Sequence, residues 1–445
     1  MKRGQIGYVK LSPLQPDKDL RTFAESCLAK SAYVCSGFRH HLTVSVMLHT
    51  FSKTALSILT ICAVVSCSTD PSAIEPMQDG KGTATILAAP KGASKIPDHY
   101  VIVFDESQVD QNEVGAEVKR LEKAHGLTVG YIYESAIRGF SAKLPPGILK
   151  KLEGDKAIKR IEEDYEITVG PVDQQAKPGG GGSTYARVSP QQLPWGVDVV
   201  GHLSGVGTRA WIIDSGIDDK HPDLTVNKTL SKNFVTGSRA SAWQDKNGHG
   251  THVAGTIGAK DDGFDAIGVA PGADLVAVRC LDSRGSGQYS WIIAGVDHIS
   301  ANAAAGDVCN MSLGGPAYSA LDESIRNAAA KNIIFVLAAG NDGVDCSTSS
   351  PARVGYNNPN VWTVSAHTIA NVFASWSNYG LPVDICAPGV TITSTRMGGG
   401  LTTMSGTSMA APHVAGILLV ANVGSRGTVT GDKDAVIDNM AKMVE

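Results

Sequence analysis

Two apolar runs that end in glycine turns most constrain how this chain folds. Arg209-Ala-Trp-Ile-Ile-Asp214-Ser-Gly216 reads as a buried parallel strand with an acid at its C-terminal end, and Ile333-Ile-Phe-Val-Leu-Ala-Ala-Gly340-Asn341-Asp342 reads as a second strand running into a turn. Open α/β sheets place their sites at such strand ends. An acid there can hold a histidine in one tautomer, and an asparagine can aim its amide at a developing negative charge. Taken singly, each is as well explained as a turn residue.

Two further stretches change that balance. In Asn247-Gly248-His249-Gly250-Thr251-His252, His249 stands between two glycines at the start of an Ala/Gly-rich helix pattern. The glycines let other backbone approach the imidazole closely. His-x-x-His without the following-Glu spacing of a zinc protease offers no general base of that kind, and His252 and His413 read as packed helix residues. In Gly406-Thr407-Ser408-Met409-Ala410-Ala411-Pro412-His413 a glycine turn enters an apolar helix. Ser408 then sits at a helix N-terminus, where free N–H groups and the dipole favour an oxyanion. By itself Ser408 would be an ordinary capping serine.

Upstream, the chain divides into several parts. Residues 55–65 are the only long apolar run, too short to span a bilayer, which takes about 20 residues, and suited to the core of an export signal. Val64-Val65-Ser66-Cys67 resembles a bacterial lipobox, with valine where leucine is usual, which implies lipidation of Cys67. An ordinary secretory signal is the alternative. On this reading 1–46 is a non-native extension, 47–67 the signal and 68–96 a flexible tether. Residues 97–169 give the order βαββαβ, a ferredoxin-like α+β layout. The strands lie at His99–Asp105, Val129–Tyr133, Gly139–Leu144 and Ala157–Glu162; the helices lie around Val114–Leu121 and at Pro146–Leu152. Residues 170–190, with the run Gly179–Gly182, read as a protease-accessible linker, and 191–445 as the main domain. A small helix is expected within Asp432–Val444.

Taken together, Asp214-Ser-Gly, His249-Gly-Thr-His-Val-Ala-Gly-Thr, Ala339-Gly-Asn341 and Gly406-Thr-Ser408-Met-Ala-Ala-Pro-His resemble the subtilisin-like serine proteases. The order Asp, His, Ser is that of subtilisin. The pieces Ile96-Pro-Asp-His-Tyr-Val-Ile-Val-Phe, Arg138-Gly-Phe-Ser-Ala-Lys-Leu and Ile161-Glu-Glu-Asp-Tyr resemble the inhibitor prodomain of that family.

The resemblance implies a subtilisin-like, parallel-sheet, three-layer α/β catalytic domain behind an inhibitor prodomain. It implies that Asp214 orients, His249 acts as base and then acid, Ser408 is the nucleophile and Asn341 stabilises the oxyanion. It also implies a self-inhibited precursor cut after about Val169 or Gly170. Gly285-Ser286-Gly287 and Ser312-Leu313-Gly314 match the two edges that pair with an extended peptide, and Ala338, Ala339 and Gly340 leave room in the first specificity pocket, with Tyr289 over a more distant one. A structural Ca²⁺ follows in the same way, held by side chains of Gln191, Asp223 and Asp262 and carbonyls of Lys260, Phe264 and Ala266, an oxygen-only set. So does a Cys346–Cys386 disulfide, with Cys280 and Cys309 either paired or simply buried.

Composition narrows the partners. A net charge of −4 with 18% charged residues argues against nucleic acid. The expected molecule is a monomer acting on extended polypeptides, secreted or held in the cell envelope. An α/β-hydrolase esterase would need Gly-x-Ser-x-Gly and the order Ser, Asp, His, neither of which occurs. A silent binding protein that kept the fold would not need every catalytic position filled, as it is here.

Overall fold

The computed structural model describes residues 46–47, 62–63, 84–90, 93–169, 185–237 and 242–445. Residues 1–78 and 79–445 form separate units, and in the first the strands Val46–Met47 and Cys62–Ala63 run antiparallel. The rest of the expected signal, including Cys67, most of the tether and the four-glycine run fall outside the described residues.

A nine-stranded sheet organises the catalytic part. Its order is Asn422–Thr428, Asn439–Val444, Ile385–Pro388, Val361–His367, Ile334–Ala338, Val308–Met311, Arg209–Asp214, Asp274–Arg279 and Lys232–Asn233. All neighbours pair in parallel except the first two strands. Side-chain alternation divides this sheet between two cores. Trp211, Ile213, Phe335 and Leu337 enter one, beneath the helices Tyr289–Asn302 and Ser319–Ala329. Ala210, Ile212, Val336 and Ala338 enter the other, beneath His249–Gly258 and Thr407–Val420. Helices on both faces of a mainly parallel sheet make the three-layer α/β fold that the resemblance implies, with the two apolar runs as buried parallel strands within it. From Arg209–Asp214 the next two strands in the chain, Lys232–Asn233 and Asp274–Arg279, lie on one side, and the one after them, Val308–Met311, on the other. Asp214 therefore stands at a topological switch point, where such sheets open a crevice.

The prodomain strands form a second sheet, ordered Ile158–Thr168, Ser94–Phe104, Gly139–Lys143 and Thr128–Tyr133 and extended at its first edge by Ser286–Gln288, with helices Val114–His125 and Leu149–Glu153. Val114, Val118 and Leu121 are buried, as their i, i+4, i+7 spacing predicts. Order begins earlier than the sequence indicates: Thr85–Leu87, inside the expected tether, pairs in parallel with Arg160–Glu162, and the first long strand starts at Ser94.

Two expectations are corrected here. Asp432–Val444 contains no helix; Asn439–Val444 is a strand between Ile385–Pro388 and Asn422–Thr428. Ile385–Pro388 would otherwise present unpaired backbone at an edge, and burial of Met440 and Ala441 rewards covering it. The Cys346–Cys386 bridge is not formed. Cys346 packs with Ala339, Ala352 and Val383, and Cys386 with Phe373, Val429 and Met440, in separate apolar clusters. Both, like Cys280 and Cys309, are buried free thiols.

Candidate active site

Three elements bring the site together. Asp214 ends its strand fully buried, and Ser215 N–H donates to its Oδ1 at 2.6 Å. His249 opens the helix His249–Gly258 behind Gly248, whose φ of 106° favours glycine. Its Nδ1 lies 2.9 Å from both Asp214 carboxylate oxygens. Gly250 is needed for that approach, because a methyl on it would strike the Gly216 carbonyl and the Asp214 side chain. Burial pulls the His249 pKa down, but the Asp214 charge and hydrogen bond outweigh it, and the net shift is upward.

Ser408 is the second residue of the helix Thr407–Val420, which packs beside the His249 helix. Its hydroxyl donates to the Ser312 carbonyl at 3.1 Å, not to His249, while Ser312 Oγ donates back to the Ser408 carbonyl at 2.7 Å. Asn341 Oδ1 accepts from both the N–H and the hydroxyl of Thr407, each at 2.9 Å. The carboxamide is thereby fixed with its NH₂ facing the cleft. A methyl built on Gly406 would lie 3.5 Å from Asn341 Nδ2 and 3.6 Å from Ser408 N, so the two donors border one space.

His252 and His413 are structural, as expected. His252 Nε2 meets the Ile392 carbonyl at 3.0 Å and His413 Nδ1 the Met409 carbonyl at 2.8 Å. Burial lowers their pKa values to about 3 and about 4, so both stay neutral.

A cavity of about 310 Å³ opens beside Ser408, bordered by Leu313, Gly314, Ala338–Asn341 and Thr407. The prodomain's last residues, Thr168 and Val169, line it too. Thr168, Ile167 and Glu166 pair antiparallel with Ser286, Gly287 and Gln288, and Val169 N–H donates to the Gly285 carbonyl at 3.0 Å. The Gly285–Gly287 edge thus carries a strand; Leu313 and Gly314 line the cavity, and the chain just beyond them, Gly315–Pro316, pairs with Ser349–Ser350 instead. Tyr289 is buried, stacked on Tyr318 at 4.3 Å and hydrogen-bonded to the Pro316 carbonyl.

Comparison with known proteins shows the family. The subtilase family model matches residues 207–425 and the peptidase inhibitor I9 model residues 99–169. Subtilisin E of Bacillus subtilis is 37% identical over 75% of this chain and 82% of its own length. The chain belongs to the subtilase family. Alkaline serine protease ver112 of Corniculantispora psalliotae is 34% identical over 78% of this subtilase and 86% of its own length. Alkaline serine exoprotease A of Vibrio alginolyticus is 36% identical over 75% of this chain, which spans only 62% of that protein. The solved structure of a cold adapted subtilisin-like serine proteinase, 34% identical, covers 56% of the chain and 98% of its own with a TM-score of 0.51. A subtilase with an I9 domain is a serine endopeptidase made with its own inhibitor.

Several contributors escape sequence reading. Thr407 orients Asn341. Asp245 accepts from Ser215 Oγ, the N–H groups of Asn247, Gly248 and Thr251, and Thr251 Oγ1, fixing the turn before His249. In the prodomain, Glu162 accepts from Ser319 N–H and Asp164 from Ser290 N–H, each at the start of a catalytic-domain helix. The free N–H groups there attract an acid's oxygen, while burial opposes its charge and prevails.

The residues expected to hold calcium do gather, but they do not fit the ion. Asp223, Asp262 and Asp265 surround the guanidinium of Arg187. Gln191 Nε2 donates to the Lys260 and Ala266 carbonyls at 2.7 and 3.3 Å, and its Oε1 accepts from Gly263 N–H. The side chain of Phe264 lies against Arg187. Among the described residues, no group of three or more His, Cys, Asp or Glu side chains is arranged to hold a metal.

Proposed function

We propose that this subtilase is an exported endopeptidase that cleaves peptide bonds through an acyl-enzyme on Ser408, and that its precursor cuts off its own prodomain. Asp214 holds His249 with Nε2 free to act. A turn of the Ser408 side chain away from the Ser312 carbonyl brings Oγ towards that nitrogen, a rotation of ordinary side-chain speed. Oγ attacks the scissile carbonyl carbon while its proton passes to Nε2. The resulting oxyanion takes hydrogen bonds from Asn341 Nδ2 and Ser408 N–H. On collapse the C–N bond breaks and the amine leaves with the proton from His249. Water, deprotonated by the same imidazole, then hydrolyses the ester. The observation that carries this reading is the grip of buried Asp214 on His249 Nδ1.

Substrates bind as an added strand on Gly285–Gly287, with the small residues Ala339 and Gly340 and the Ser312–Gly314 segment around the residue at the cut. The prodomain tail lies on that edge as a substrate would, and Val169 lines the cavity beside Ser408. This supports maturation after Val169 or Gly170. Lipidation at Cys67 would tether the precursor on the prodomain side of that cut, and the released enzyme would act as a monomer. Expression of the wild-type chain with Ser408→Ala alongside, followed by N-terminal sequencing of the products, tests the proposal. The wild type should yield a new N-terminus between residues 165 and 195 and the variant should stay whole; equal processing of both would refute it.

A further inference from the structure

One side chain ties the segment entering the catalytic domain to its acidic loop. Arg187 Nε donates to Asp265 at 2.8 Å, Nη1 to Asp262 at 3.0 Å, and Nη2 to Asp262 at 2.8 Å and Asp223 at 3.1 Å. Asp223 and Asp265 are fully buried. The guanidinium centre lies 4.7 Å from the centre of the Phe264 ring, a cation–π distance. Backbone bonds reinforce the tie: Val188 N–H donates to Asp265 Oδ1 at 2.7 Å and Asp265 N–H to the Val188 carbonyl at 2.7 Å. The carbonyls of Lys260 and Ala266, which a cation would need, are taken by Gln191.

We infer that Arg187 stands in for a divalent cation in this loop, so that the chain carries its own counter-charge and the loop is ordered without calcium. The planar fork suits several carboxylate oxygens at once, which a lysine ammonium could not match. Without Arg187, two buried carboxylates and a third beside them would face one another uncompensated, together with carbonyl oxygens of the kind Ca²⁺ accepts. One consequence concerns maturation. A cut after Val169 or Gly170 leaves Arg187 on the enzyme, whereas trimming beyond residue 187 would remove the clamp.

The test uses the full-length Ser408→Ala protein, so that neither self-digestion nor failure of the peptidase reading affects it. Its melting temperature should be the same in chelator and in millimolar calcium. Adding Arg187→Ala should lower the melt in chelator by on the order of 10 °C, as expected for a broken buried ion pair. Calcium should restore at least half of that loss, and calorimetric titration with calcium should show one more bound ion than without the substitution. Arg187→Lys should fall between the two, and it serves if the alanine variant does not fold. The inference is overturned if chelator lowers the melt of the Arg187 protein and Asp262→Asn abolishes that sensitivity. It is equally overturned if Arg187→Ala melts unchanged, or if calcium restores nothing, since Arg187 would then be an ordinary structural arginine.

Discussion

His249 sits between two opposed influences, burial that favours the neutral ring and Asp214 that favours the charged one, and Asp214 prevails. A raised pKa means that the base is lost as pH falls through a value above 6.5, so the acid limb of kcat/KM should lie there. Asp214→Asn removes the larger raising influences and leaves burial opposed only by the Asp245 charge. Its acid limb should move to lower pH while kcat falls about 10⁴-fold, the size seen when a triad aspartate is amidated. Peptide-hydrolysis profiles across pH would show both effects, and an unmoved limb would count against Asp214 as the partner. Asn341→Ala should lower kcat about 10²–10³-fold with little change in KM, a magnitude taken from subtilisin's own oxyanion asparagine rather than from this structure. Asp214, His249, Asn341 and Ser408 were legible as candidates because each is set in its own glycine-marked turn. Thr407 was not, because what it does depends on Asn341, 66 positions away in the chain. Arg187 was also missed. A composition of nearby acids reads equally well as a metal loop, and only folding reveals which cation faces it.

At the scale of elements, the prodomain strand Ile158–Thr168 combines two jobs. Its last residues pair with Ser286–Gln288, the edge proposed to take substrate, and Glu162 and Asp164 meet the first turns of Ser319–Ala329 and Tyr289–Asn302. Burial raises the Asp164 pKa from 3.8 to about 6, and burial also raises that of Glu162 despite Arg160 beside it. Asp164 Oδ2 is buried with no hydrogen-bond partner, a site suited to a protonated carboxyl. A carboxyl whose pKa is higher in the complex than in free solution stabilises the complex fully below its free value. That contribution is lost as pH rises through the bound value. The prodomain should therefore inhibit more tightly near pH 4 than near pH 7, by up to about 100-fold from Asp164 alone. Asp164→Asn, which imitates the neutral acid, should flatten the dependence. Inhibition constants measured from pH 4 to 8 decide it: affinity that is level, or that weakens in acid, rejects the assignment. The βαββαβ order itself was readable from periodicity. The two capping carboxylates were not, because Ile161-Glu-Glu-Asp-Tyr looks like a charged outer strand until a second domain covers it.

In the whole molecule, prodomain and catalytic domain share a core. Val101, Val103, Tyr133, Tyr165 and Ile167 pack in one cluster with Ile292, Ile293, Leu321 and Ile325 of the helices above the large sheet. Tyr131 and Tyr133 also reach across, donating to the Phe234 and Ser290 carbonyls. The large sheet has to assemble from strands distant in sequence. Val308–Met311 pairs with Arg209–Asp214, and the final strand Asn439–Val444 inserts beside Ile385–Pro388. Such non-local parallel pairing is slow to nucleate, because loop closure must precede the contacts that reward it. It also explains why the C-terminal strand was read as a helix: its short local pattern says little, and the partner strand that decides it is set by the completed sheet. The prodomain, whose pairings are more local and whose own apolar cluster includes Ile102, Phe104, Leu121, Phe140 and Ile161, can form first and present a surface for the two helices. Residues 185–445 refolded alone should therefore remain largely inactive and compact but unordered. Adding a separate 84–169 fragment should recover active enzyme at a rate that rises with fragment concentration. Active-site titration with a serine-directed acylating reagent, alongside near-UV circular dichroism, measures this. Equal recovery with and without the fragment would mean that the shared core is an inhibitory contact and not a folding template.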